Sequence, residues 1–169
     1  MAFKSPDAIL TADPRFASLW IVGPEQTRPM DIHDHHRALA GIDLPSGAPD
    51  DVRQAFDRAR NVMLYAYFDY DLLIVGEFQA FGAFELALKA RIHALGGATR
   101  GTLRNLVDQA RKHEPLPKRT APASGLTDPI EALIALRNDL AHGSAAIHSP
   151  GMALEVLEAC AAAVADLYP

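Results

Sequence analysis

Apolar positions in this chain recur at steps of three and four over long stretches, the period of helices buried on one side. Residues 1–30 are the exception. They carry Pro6, Pro14, Pro24 and Pro29 and sustain no period. They read as an irregular arm, with Phe16, Leu19, Trp20, Ile21 and Val22 as its docking patch. A short helix is expected from about Asp31 to Ala40, and the connector GIDLPSGAP is rich in turn formers. Pro49 followed by Asp50 and Asp51 signals the start of a helix reaching about Tyr67, because proline fits the first position and acids suit the positive end of the dipole. A longer helix follows from about Leu72 to Leu95, with Ile74, Phe78, Phe81, Leu88, Ile92 and Leu95 on one stripe and Gly96 and Gly97 as its stop. Another covers about Thr102 to His113, before the proline-rich segment EPLPKRTAPASGLTDP.

Asp128, Pro129 and Glu131 form the next start: a capping side chain, proline first, and an acid three residues on. Ile130, Leu133, Ile134, Leu136 and Leu140 supply that helix's apolar side. Ser149 and Pro150 open the last helix, striped by Ala153, Leu157, Cys160, Val164 and Leu167. No strand pattern competes. Amphipathic helices with short joints predict an all-α, up-and-down bundle over residues 50–169, preceded by an arm and short helix over residues 1–49.

Composition narrows the class. Apolar residues make up 49% of the 169, enough for a globular core. No apolar run nears the ~18 uncharged residues of a membrane span. The start, MAFKSPDAIL, lacks the apolar core of a signal peptide. A single cysteine, Cys160, excludes an internal disulfide framework, and a reducing cytoplasmic setting is expected. The net charge of −5 argues against a non-specific nucleic-acid coat. A local excess of base does occur over residues 100–119, from Arg100, Arg104, Arg111, Lys112, Lys118 and Arg119; a solvated face is the plainer reading of it.

The candidate chemistry lies in LRNDLAHG, residues 136–143. Arg137 can fork onto phosphate oxygens, and His142 can take or give a proton near neutral pH. On an unbroken helix the two would stand about 140° apart. If the helix stops near Ala141 and Gly143 takes a left-handed turn, His142 is free to swing toward whatever Arg137 faces. Arg28 and His33 repeat the spacing, but Pro29 drives Arg28 away from helical backbone. The plainer alternative for LRNDLAHG is an ordinary helix end, with His142 as its cap and Asn138 and Asp139 bonding nearby amides.

The stretch resembles the signature of the HEPN superfamily: an arginine, often followed by a polar residue, then a histidine after four to six residues. YAYFDYDLLIVGEFQAFGAFELALKARI resembles the long second helix of bacterial HEPN-like proteins, LRNDLAHGS their third main helix, and residues 150–168 their closing helix. The resemblance covers roughly residues 50–169. It implies a metal-independent endoribonuclease, of the kind used as toxins or phage-defence effectors, with no cofactor. Arg137 and His142 would be catalytic, and Asn138 and Asp139 supporting. It also implies a homodimer whose two motifs line one cleft, RNA as substrate, and an antitoxin or other protein as partner. Many HEPN-like domains are instead non-catalytic modules that bind a nucleotide or a protein.

Glu85 falls on the apolar stripe of the long helix, where a carboxylate needs a partner. Arg137 is the expected one, either orienting the guanidinium or as a structural ion pair. Other groups promise less. DIHDHH, with Asp31, His33, Asp34, His35 and His36, suggests a metal tract but lacks a distant ligand set, and solvated helix-start residues are expected there. Cys160 reads as an inert core thiol. His93, His113 and His148 show no convincing partner, and Tyr65, Tyr67, Phe68 and Tyr70 read as core or interface rather than base-stacking residues.

Overall fold

Local signals place the helix starts, and the computed structural model bears them out over the residues it describes: 3–24, 27–113, 115–117, 128–143 and 146–169. After a short turn of 3-10 helix (Pro6–Ala8) come α1 (Pro14–Ala17), β1 (Trp20–Val22), β2 (Thr27–Pro29) and α2 (Ile32–Ala40). The main helices are α3 (Asp50–Tyr65), α4 (Leu72–Ala94), α5 (Leu103–Lys112), α6 (Pro129–Ala141) and α7 (Pro150–Leu167). Side chains of Asp31, Thr102, Asp128 and Ser149 each accept from backbone N–H groups of the helix they precede, filling donors that the helix itself leaves open.

The architecture is an all-α, up-and-down bundle. The turn of residues 66–71 joins α3 and α4 as an antiparallel pair. Gly76 permits their close approach: a Cβ there would lie 2.3 Å from Met63 Cγ. Arg104 and Arg111 on α5 hold the first turn of α6, so α6 begins beside α5 and runs back along α4. His148, just before α7, meets Glu77 near the start of α4, and the Tyr168 hydroxyl past the end of α7 donates to Ala87 O at 3.0 Å. α7 therefore descends in the same sense as α4. The buried core runs through α3, α4, α6 and α7, with Phe56, Phe84, Leu88, Ile92, Leu157 and Leu167 among its largest members.

Three expectations need correction. A small antiparallel hairpin is present, pairing Trp20 with Pro29, Ile21 with Arg28 and Val22 with Thr27. Three residues per strand are too few to show a two-residue period, and Pro29 fits at an edge, where no N–H is needed. The arm docks through Phe16, which is fully buried, and through Leu19 against the core, while Trp20 and Val22 remain exposed. Asp13 anchors it: buried, its carboxylate accepts from Arg15 and from the Tyr70 N–H, and its own N–H donates to Tyr67 O. The rings of His35, Tyr67 and Tyr70 surround Phe16, so Tyr67 and Tyr70 are packing residues.

The third correction is the phase of α4. Its buried face carries Leu73, Gly76, Glu77, Ala80, Phe81, Phe84, Ala87, Leu88 and Ile92, whereas Phe78 and Leu95 are exposed. α4 is apolar nearly all round, so several stripes fit it equally well and the period alone does not choose between them.

Candidate functional site at the end of α6

Ile130, Ile134 and Arg137 succeed one another at steps of four and three along the inward side of α6. The two isoleucines are buried and Arg137 is half-buried where the row emerges. Its Nη1 lies 3.5 Å from Asn138 Oδ1, the limit of a hydrogen bond, and no carboxylate among the described residues pairs with it. Asn138, Asp139, His142 and Gly143 are exposed. The helix ends at Ala141 with His142 as its cap. Gly143 takes the left-handed turn at φ +85°, as its lack of a Cβ allows.

The turn comes one residue too late to swing His142 back. Its φ of −82° is near helical, and its N–H still donates to Asn138 O at 3.1 Å. His142 therefore leaves the axis about 140° from Arg137. Within one chain the helix end presents an open guanidinium and an open imidazole on different sides of the same tip.

Glu85 is not the partner of Arg137. Its Oε1 lies 2.6 Å from Lys89 Nζ one turn along α4, and both side chains reach solvent. The error follows from the phase of α4: Phe81, Leu88 and Ile92 of the expected stripe are buried, but the buried face passes through Glu77 and Phe84 and leaves Phe78 exposed.

The buried carboxylate of α4 is Glu77, which has no exposed surface. It sits in a row with Leu73, Ala80, Phe81 and Phe84, a signal present in the sequence but hidden by the competing stripe. Its partner is His148, whose Nδ1 lies 3.0 Å from both Glu77 oxygens. The expectation that His148 lacks a partner is thus overturned; a contact across 71 residues leaves no mark on local spacing. Burial pushes the Glu77 carboxyl above its ordinary pKa, and His148 pulls it partly back. His148 also lines a groove of about 350 Å³ between α6 and α7, with Leu133, Leu136, Met152, Glu155 and Val156.

The DIHDHH tract is structural, and two of its members are not solvated. Asp34 is buried, closes a capping box with Asp31 and grips Arg28 through bonds of 2.5 and 2.7 Å. His35 is buried with Nε2 donating to Met63 O at 2.7 Å. His33 and His36 are exposed. Among the described residues no group of three or more His, Cys, Asp or Glu side chains is arranged to hold a metal ion. No helix is long and apolar enough to cross a membrane.

Part of the basic stretch before α6 is internally neutralised. Arg111 reaches Asp128 at 2.7 Å and Glu131 at 2.6 Å, and Arg104 reaches Glu131 at 2.6 Å. Lys118 and Arg119 lie outside the described residues. Burial pushes the Cys160 thiol well above its ordinary pKa, which leaves it protonated and unreactive.

The chain matches no family model, no curated protein and no solved structure with which it was compared. The functional reading rests on the helix end itself.

Proposed function

We propose that the protein is a metal-independent endoribonuclease of the HEPN type, acting as a toxin or phage-defence effector. The observation that supports this is Arg137: half-buried at a helix end that also carries an exposed histidine, with no carboxylate neutralising it among the described residues. A guanidinium left open in that way suits a phosphate. In the proposed reaction the RNA 2′-oxygen attacks the adjacent phosphorus, the bond to the leaving 5′-oxygen breaks, and a 2′,3′-cyclic phosphate results. His142 moves the proton, giving it to the 5′-oxygen or taking it from the 2′-hydroxyl. Arg137 stabilises the charge of the pentacoordinate phosphorus, and Asn138 orients substrate or imidazole.

Because Arg137 and His142 diverge by about 140° on one helix end, the proposed site is completed by a second copy, each chain lending residues to one cleft across a two-fold axis. The same divergence favours a second reading, a non-catalytic dimeric module that binds a nucleotide or partner protein such as an antitoxin.

The experiment is RNA cleavage in EDTA. Products should end in 2′,3′-cyclic phosphate and 5′-hydroxyl, and a 2′-deoxy substitution at the scissile position should block the reaction. His142→Ala and Arg137→Ala should each lower the rate roughly 10²–10⁴-fold while remaining folded. His33→Ala, at the exposed histidine of the other copy of the spacing, should leave catalysis unchanged. Wild-type protein that cleaves none of a broad RNA panel gives the binding module precedence.

A further inference from the structure

Glu77 and His148 have no part in the chemistry described above, yet they form a built site. A carboxylate with no exposed surface is costly to hold inside a protein, and its hydrogen-bond partner among the described residues is one imidazole nitrogen. Such a carboxylate fixes the ring and its tautomer. With a carboxylate against Nδ1, the neutral ring carries its proton there and Nε2 keeps its lone pair. Nε2 bonds to no described residue and is not a sealed-off buried atom, so it is open to the groove that His148 lines.

That groove has a definite chemistry. Its walls are mostly apolar: Leu133 and Leu136 from α6, Met152 and Val156 from α7. Its polar side chains are His148 and Glu155, and both offer acceptors there. An occupant must therefore bring an apolar body with a hydrogen-bond donor on its edge, and a bare phosphate is repelled. The volume of about 350 Å³ lies at the small end of ordinary ligand pockets, which begin near ~300 Å³.

Resting on the reading of the protein as a ribonuclease, we propose that this groove is a nucleobase subsite in which His148 Nε2 accepts the imino N–H of uracil or guanine. Adenine and cytosine present a bare ring nitrogen at the corresponding edge position, so they would set a lone pair against a lone pair. Glu77 is a positioning residue, since it holds the tautomer. The groove runs along α6 from Pro129 to Leu136, and Arg137 follows Leu136 in the chain.

The test is an NMR titration of the native protein with free nucleosides, following the Met152 methyl and His148 ring signals. Uridine and guanosine should shift both. Cytidine, adenosine and N3-methyluridine should bind at least about tenfold more weakly, because each leaves the Nε2 acceptor unmatched. His148→Phe keeps a ring and removes the acceptor, so it should erase the preference; if that variant does not fold, uridine against N3-methyluridine on the native chain decides alone. Equal affinity for all five nucleosides, or no shift at Met152 with any of them at tens of millimolar, overturns the subsite. Cleavage separates this from the parent reading. RNA cut without preference for uridine or guanosine next to the scissile bond removes the His148 assignment and leaves the ribonuclease standing. Nucleoside discrimination by a protein that cuts no RNA does the reverse.

Discussion

His35 shows how one buried side chain carries a pH dependence. Its ring packs edge-on to Phe16 at 4.9 Å, Nε2 donates to Met63 O, and Nδ1 has no partner. Burial depresses its pKa from the ordinary 6.5. The unfolded chain takes up a proton as pH falls through about 6.5 and the folded one does so only at lower pH. The contribution of a neutral His35 is thus whole above that pH and is lost as pH falls. Glu77 works in the opposite sense: its raised pKa means stability is lost as pH climbs above 4.5. His35→Phe isolates the first effect. Urea midpoints measured from pH 7.5 to 5 should fall less in the variant than in wild type; parallel profiles would show that His35 titrates normally. Glu85 gives the contrasting case. Its side chain is partly exposed and paired one turn away with Lys89, so Glu85→Ala should cost no more than about 0.5 kcal/mol in urea unfolding. A loss several times larger would mean that Glu85 holds something besides Lys89.

At the scale of elements, α3 and α4 depend on Gly76. A Cβ there would come within 2.3 Å of Met63 Cγ and 3.4 Å of the Ala59 carbonyl oxygen. Met63 is itself buried, so its stem has little room to yield. Gly76→Ala should destabilise by about 1–3 kcal/mol despite the gain in helix propensity, as overpacking does. Gly82 is the control on the same helix. Nothing lies within 4 Å of its added Cβ, so Gly82→Ala should be neutral or stabilising by up to ~1 kcal/mol. Thermal melts of both variants check the pair; equal shifts would contradict the packing of α3 on α4. The joint between α5 and α6 is of another kind, four charged side chains bonded across the two helices, three of them nearly buried. Basic residues that read as a solvated face thus act partly as a clamp.

For the whole molecule, the prediction is the dimer. Val75 and Phe78 leave an apolar patch open on α4, and Glu77 between them binds the connector that leaves α6. The patch lies near the start of α4, whose Glu77 holds His148, six residues past His142 in the chain. A two-fold pairing there would cover it and bring the symmetry-related motifs within about one side-chain length, an interface-scale arrangement. Light scattering at tens of micromolar should report a dimer, and Phe78→Glu should shift it toward monomer and lower cleavage with it. A monomeric wild type, or a dimer whose motifs lie on opposite outer faces, defeats the shared-cleft proposal.

Helix starts and the all-α class are determined by the sequence alone. The reason is that caps and prolines act within one turn: Asp128 needs only Ile130 and Glu131, and Ser149 only Met152. The motif LRNDLAHG was legible for the same reason, as was the left-handed turn at Gly143. Which way a helix faces was decided by tertiary packing wherever the apolar residues surround it. On α4 the sequence allows Glu85 or Glu77 to point inward, and only the approach of Met63 to Gly76 and of His148 to Glu77 selects the second. The burial of Asp34 and His35 likewise waits on Arg28 and Met63. Contacts between residues distant in the chain depend on the summed geometry of several helices, and that geometry leaves no period in the sequence between them.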